Sequence, residues 1–105
     1  MDKRIHPRFP TQFRSSFSSV YIASGEGQVI NLSLSGCCIN STIDVKPGTT
    51  LQLQLQISDD TPPVQIDRAI VHWHMTTYFG VEFIGLSPES GAQLQQIVKQ
   101  LELQS

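Results

Sequence analysis

From Leu51 to Ile57 the sequence runs Leu-Gln-Leu-Gln-Leu-Gln-Ile, apolar and polar residues in strict alternation. Successive side chains on a β-strand point to opposite faces, so this stretch offers Leu51, Leu53, Leu55 and Ile57 to a core and its three glutamines to water. A strand that is dry on one face and wet on the other belongs in an antiparallel sheet. Whatever else the chain does, it must supply partners for this strand.

The flanking sequence supplies them. Thr11 to Ile22 carries Phe13, Phe17 and Tyr21 at a spacing that fits a helix face or a strand face; its serines and aromatics, and the Gly25-Glu26-Gly27 break, favour a strand ending in a hairpin. Gln28 to Leu34 predicts a second strand, and Cys37-Cys38-Ile39 resumes extended structure after Ser35-Gly36. Lys46-Pro47-Gly48 and Asp59-Asp60-Thr61-Pro62-Pro63 are turn signals. Val64 to Met75, rich in Val, Ile and Trp, predicts a long strand with Ala69, Val71 and Trp73 on one face, and Tyr78 to Ile84 is its expected partner. At the C-terminus Leu94, Ile97, Val98 and Leu101 recur at helical spacing. Ser87 is placed to cap that helix, with Pro88 in the first turn and Glu89 favourable to the dipole; Ser90 with Gln93 offers a second capping box. The expectation is an all-β protein: a small six-stranded antiparallel barrel with a C-terminal α-helix lying across one opening.

With 105 residues the chain has room for one domain. An arm over residues 1–10 is compositionally distinct from the body over residues 11–105: it holds three of the seven Lys and Arg, and Pro7 and Pro10 bias it away from helix. The initiating Met1 and the closing helix are what a whole protein would show. A formal net charge of -2 disfavours a nucleic acid polymer or an anionic membrane as partner. No apolar run is long enough to span a bilayer, and the N-terminus lacks a signal peptide's apolar region, so no membrane insertion and a cytoplasmic location are expected. The adjacent Cys37 and Cys38 are expected to be reduced packing residues, not a disulfide framework.

Catalysis finds little support. The sequence contains no G-x-S-x-G, H-E-x-x-H, P-loop or G-x-G-x-x-G pattern. His72 and His74, two apart on a predicted strand, share a face; such a pair binds zinc only if other ligands converge, and a solvated strand face is the plainer reading. No enzyme activity, cofactor or metal is expected.

Two polar constellations remain. In Arg4-Ile5-His6-Pro7-Arg8, two arginines stand four apart on the proline-stiffened arm; arginine pairs bidentately with phosphate or guanine and stacks on flat rings. In Asn31-Leu32-Ser33-Leu34-Ser35-Gly36, Asn31 and Ser33 share a strand face and offer a donor, an acceptor and a hydroxyl, while Gly36 permits close approach. Together they suit a ligand with phosphates and guanine bases. Each also has a plain reading: solvated arm charges, an Asn tied to its own turn, a surface Ser, a bulge Gly. Trp73 is expected in the core rather than as a stacking platform.

These residues resemble the two motifs of the PilZ domain family: Arg4 and Arg8 match RxxxR, and Asn31, Ser33 and Gly36 match [D/N]xSxxG. The order of the remaining strands, with Ala69-Ile70-Val71-His72-Trp73, Gly80-Val81-Glu82-Phe83 and the closing helix, is similar along nearly the whole chain. The resemblance implies a PilZ-like split barrel and a non-catalytic receptor for cyclic di-GMP. Arg4 and Arg8 would engage phosphates and guanines from the arm, Asn31 and Ser33 would contact a guanine from the barrel, and Gly36 would shape the turn. Lys3, just before the first motif, would add phosphate attraction and bear on whether one or two ligand molecules stack. Asn31 stands where Asp is commoner in the family and forgoes the carboxylate's two acceptors. On this reading ligand binding orders the arm and creates a surface for an unidentified downstream protein, in motility, biofilm or exopolysaccharide control. The protein would be a monomer or weak dimer. The alternative is a PilZ-like adaptor for type IV pilus or motility function that acts by protein contacts without nucleotide. An OB-like or SH3-like barrel binding single-stranded nucleic acid fits poorly with the charge and the lack of a basic aromatic face.

Overall fold

A computed structural model of the chain describes residues 6–104. Six strands and one helix follow in order: β1 (Phe9–Ser18), β2 (Gly25–Leu32), β3 (Gly36–Asn40), β4 (Thr50–Gln56), β5 (Val64–Met75), β6 (Tyr78–Gly85) and α1 (Pro88–Gln104). Every pairing is antiparallel. The strands close into a barrel in the order β1-β2-β3-β6-β5-β4. Closure satisfies the backbone groups that an open edge would leave exposed.

The alternating stretch behaves as its pattern demands. Leu51, Leu53 and Leu55 are fully buried, and they meet Val29, Leu32, Ile39, Val64, Ile66 and Phe79 in one continuous core. Phe17 packs edge-on against Phe79, with ring centroids 5.4 Å apart and planes at 81°, an edge-to-face geometry that the ring quadrupoles favour.

Two boundaries differ from the sequence expectation. Phe9 and Pro10 belong to β1, opposite Leu32 and Asn31, so the barrel begins inside the segment expected as arm. A register shift follows between Pro10 and Phe13. Proline has no N–H for the ladder and is tolerated at the start of a strand or at a bulge; here the Thr11 hydroxyl donates to the Val29 carbonyl at 2.7 Å. The hairpin between β1 and β2 is not made by the glycines. Ser19 builds the turn: its N–H donates to the Ile22 carbonyl at 2.8 Å, and its hydroxyl accepts from the Tyr21 and Ile22 amides. Gly25 lies within β2, where a Cβ would come within 2.5 Å of the Phe17 ring. It is a packing glycine, not a turn glycine.

The long strand β5 is bent by two irregularities. Its register against β6 shifts between Arg68 and Ala69 and again between Val71 and Trp73. At the second shift β5 advances two residues, from Val71 to Trp73, while β6 moves one, from Val81 to Gly80. The extra residue is His72. It reverses the parity of everything after it, so Ala69 and Val71 face the core while Trp73, 40% exposed, faces out. The expectation of a core Trp73 is corrected by this bulge.

The helix begins where the cap chemistry places it. The Ser87 hydroxyl accepts from the Ser90 amide at 3.1 Å, so Ser87 is the N-cap, and Ser90 is buried within the first turn. Leu94 and Val98 bury the inner face of α1, with Ile97 and Leu101 packed partly against the core. The Gln93 side chain reaches the Pro62 carbonyl in the β4–β5 loop. Replacing Leu53 by Ala is expected to cost about 2–5 kcal/mol by opening a cavity, and replacing Ser87 by Ala about 0.5–2 kcal/mol by removing a cap. Denaturant unfolding of the two variants checks this order; equal midpoints would contradict it.

Candidate functional site

The β2–β3 turn is built by one side chain. The Ser33 hydroxyl accepts from the Ser35 amide at 3.2 Å and the Gly36 amide at 3.1 Å, and it lies 3.2 Å from the Gly36 carbonyl. The Ser33 amide donates to that same carbonyl at 2.9 Å. The turn is tied to β6 by the Phe83 amide, which donates to the Ser35 carbonyl at 2.9 Å. Gly36 then passes so close to β6 that a Cβ would sit 2.2 Å from the Val81 carbonyl oxygen. Serine is small enough to fold onto its own turn, and glycine is the residue that this strand contact admits.

This turn sits at the end of a polar outer face. Asn31 on β2 pairs with Cys38 on β3, Cys38 with Gly80 on β6, and Gly80 with Trp73 on β5. The four positions form one row across four strands. Arg8 stands just before β1, and its Nη1 donates to Asn31 Oδ1 at 3.2 Å. The guanidinium is therefore held at the head of the row. Its charge is felt by both cysteines: burial pushes the Cys37 and Cys38 thiols up, and Arg8 acts against that rise. Both thiols are free and buried, and the raised pKa keeps them protonated and unreactive at neutral pH.

At the other end of the row the indole of Trp73 lies across Gly80. A Cβ on residue 80 would fall 2.2 Å from the indole Nε1, so the ring's position requires glycine beneath it. Arg8, Ser35, His72, Trp73, Gly80, Val81 and Glu82 line a recess of about 210 Å³ beside this ring. His72 Nε2 and Glu82 Oε1 are 2.6 Å apart at its rim. The two histidines do not form a pair: His74 lies 3.7 Å from Asp44, and the bulge at His72 separates their faces. Among the described residues no group of three or more His, Cys, Asp and Glu side chains converges as a metal site.

The expected site residues thus fall into three groups. Arg8, Asn31 and Gly36 are brought together at the β2–β3 turn. Ser33 is there too, but it is 1% exposed and its hydroxyl is committed to the turn, so it shapes the site instead of offering a surface hydroxyl. Lys3 and Arg4 lie outside the described residues. The sequence reading missed Trp73, Gly80 and the His72–Glu82 pair. A signal was present: Thr76-Thr77 forms a two-residue hairpin loop that sets Met75 opposite Tyr78, and counting back brings Trp73 opposite Gly80.

Fold and face together define a small closed-barrel domain with an arginine docked beside the β2–β3 turn. The model of the PilZ domain matches residues 2–100, and the chain belongs to the PilZ domain family. Solved structures share the fold at low identity. The inhibitor of motility MotI/DgrA of Bacillus subtilis superposes with a TM-score of 0.82 at 14% identity, covering 100% of this chain and 53% of that one. YcgR of Escherichia coli in complex with c-di-GMP gives 0.78 at 19% identity, covering 99% and 48%. The PilZ domain of that YcgR with c-di-GMP gives 0.76 at 14% identity, covering 98% and 94%. The chain spans about half the length of the first two proteins. Among curated proteins, none matches the sequence.

Trp73 is the sole tryptophan, so its seat can be read directly. Gly80→Ala is expected to displace the indole and shift the emission maximum while the circular dichroism of the barrel persists. An unchanged emission spectrum would contradict the close contact.

Proposed function

We propose that the protein is a non-catalytic receptor for cyclic di-GMP. The observation that carries this reading is the docking of Arg8 on Asn31 at the head of an outward row that ends in an exposed indole. Membership of the PilZ family supports it, as do the relatives of the same fold whose structures contain that dinucleotide.

The chemistry of the ligand fits the chemistry of the face. A cyclic dinucleotide has two phosphodiester charges and two flat bases. Arg8 supplies a fixed cation with free N–H donors beyond the one given to Asn31. Trp73 supplies a flat apolar surface on which a base stacks, an interaction tolerant of base identity. Asn31 accepts from Arg8 and so positions it; its amide N–H groups are left to donate to a base. Ser33 and Gly36 set the turn that brings Asn31 and Arg8 into register. From the arm, Lys3 and Arg4 close over the bound ligand and add two further cationic contacts.

Charge-assisted hydrogen bonds contribute about 1.5–3 kcal/mol each. A few of them, offset by the conformational entropy of the groups that the ligand orders, lead to micromolar binding at about -8 kcal/mol. The ligand and the closed arm then form a new surface, read in the cytoplasm by a downstream protein. No helix among the described residues is long and apolar enough to cross a membrane.

Isothermal titration with cyclic di-GMP at moderate salt is the test. Binding that weakens with salt is expected, and Arg8→Ala should lower the affinity roughly 10- to 100-fold without unfolding the barrel. No heat from the folded wild-type protein would sink the receptor reading in favour of a nucleotide-independent adaptor. An unchanged titration for Arg8→Ala would remove the arginine from the site.

A further inference from the structure

The outer face has a cation and a ring, but the acceptors expected to read a base are already engaged. Asn31 Oδ1 accepts from Arg8. The Ser33 hydroxyl is buried in the turn, and the Ser35 hydroxyl lies 3.3 Å from it. Guanine differs from adenine on its Watson–Crick edge, where N1–H and the 2-amino group form two adjacent donors. The complement of two adjacent donors is a carboxylate, which accepts on both oxygens and donates nothing.

Among the described residues that line the Trp73 recess, Glu82 alone carries a carboxylate. It stands two residues beyond Gly80 on β6, hence on the same outer face and about 7 Å further along the strand. A base lying on Trp73 above Gly80 would present its edge along β6 toward that group. The carboxylate is half-exposed, so its oxygens are accessible, and it is not free to wander. His72, the extra residue of the β5 bulge, holds Oε1 at 2.6 Å. One oxygen is anchored, and lone pairs on both remain for the ligand. The same bulge that turns Trp73 outward therefore also positions the anchor of Glu82.

We infer that Glu82 is the guanine-selecting residue of this site, accepting N1–H and the 2-amino group of a base stacked on Trp73, with His72 as its positioning residue. This deepens the receptor reading and rests on it. It also explains how the site can select guanine although Asn, not Asp, stands at position 31.

The test compares cyclic di-GMP with cyclic di-IMP, whose hypoxanthine lacks the 2-amino group, by calorimetric titration of the full chain. The wild-type protein is expected to prefer cyclic di-GMP by roughly 10-fold or more. In Glu82→Gln that preference should collapse toward unity, chiefly through loss of cyclic di-GMP affinity. His72→Ala should narrow the preference, and His72→Gln, which keeps a side-chain N–H, should largely restore it. Glu82 is on the surface, and circular dichroism confirms that each variant is folded. A Glu82→Gln protein that keeps the wild-type preference overturns the inference and leaves the receptor reading standing. A wild-type protein that binds neither dinucleotide overturns both.

Discussion

The barrel exists because β1 is zipped on both sides, to β2 along one edge and to β4 along the other. Without that closure the alternating β4 would be an exposed edge strand with a half-apolar face, which invites aggregation. Closure has a second consequence. Because Phe9 pairs with Leu32 and Pro10 with Asn31, the residue before β1 is delivered to the end of β2. Arg8 meets Asn31 because the register of the core requires it. The site is thus coupled to the fold by one strand, and a change that loosens the start of β1 should loosen the guanidinium with it.

Small residues and register shifts do the rest. Gly36 lets β3 approach β6, Gly80 lets an indole lie flat on β6, and the extra residue at His72 turns that indole outward. Each departs from the ordinary strand preference for large or β-branched side chains and strict alternation. They cluster on one wall of the barrel, β2-β3-β6-β5. On the opposite wall Arg14, Gln54 and Gln56 face water and β4 alternates buried and exposed residues, although the register shifts between Pro10 and Phe13 and between Leu51 and Leu53.

Much of this was legible beforehand for a physical reason. Burial of one strand face enforces a period of two, so Leu51 to Ile57 announced β4, and the cap chemistry of Ser87 with the spacing of Leu94, Ile97, Val98 and Leu101 announced α1. Arg8 immediately precedes β1 and Asn31 lies near the end of β2, and the resemblance to the two motifs already put both residues at one site. The fate of Trp73 could not be read from alternation, because a bulge is a matter of two strands and leaves no mark in one. The burial of Ser33 was not legible for a related cause: a hydroxyl that folds back onto its own turn has the same sequence signature as one that faces solvent. Gly25 looked like a turn because glycine often is one; here it makes room for Phe17.

The central claim is that one wall of the barrel, from the docked arginine to the outward indole, is the ligand face. Two-dimensional proton–nitrogen NMR during addition of cyclic di-GMP addresses it without any substitution. The account predicts the largest shifts at the Trp73 indole N–H, the Gly80 amide, the Asn31 side-chain amide and Arg8, with Arg14, Gln54 and Gln56 on the opposite wall little changed. Shifts confined to that opposite wall, with the Trp73 and Asn31 signals unmoved at saturation, would contradict it.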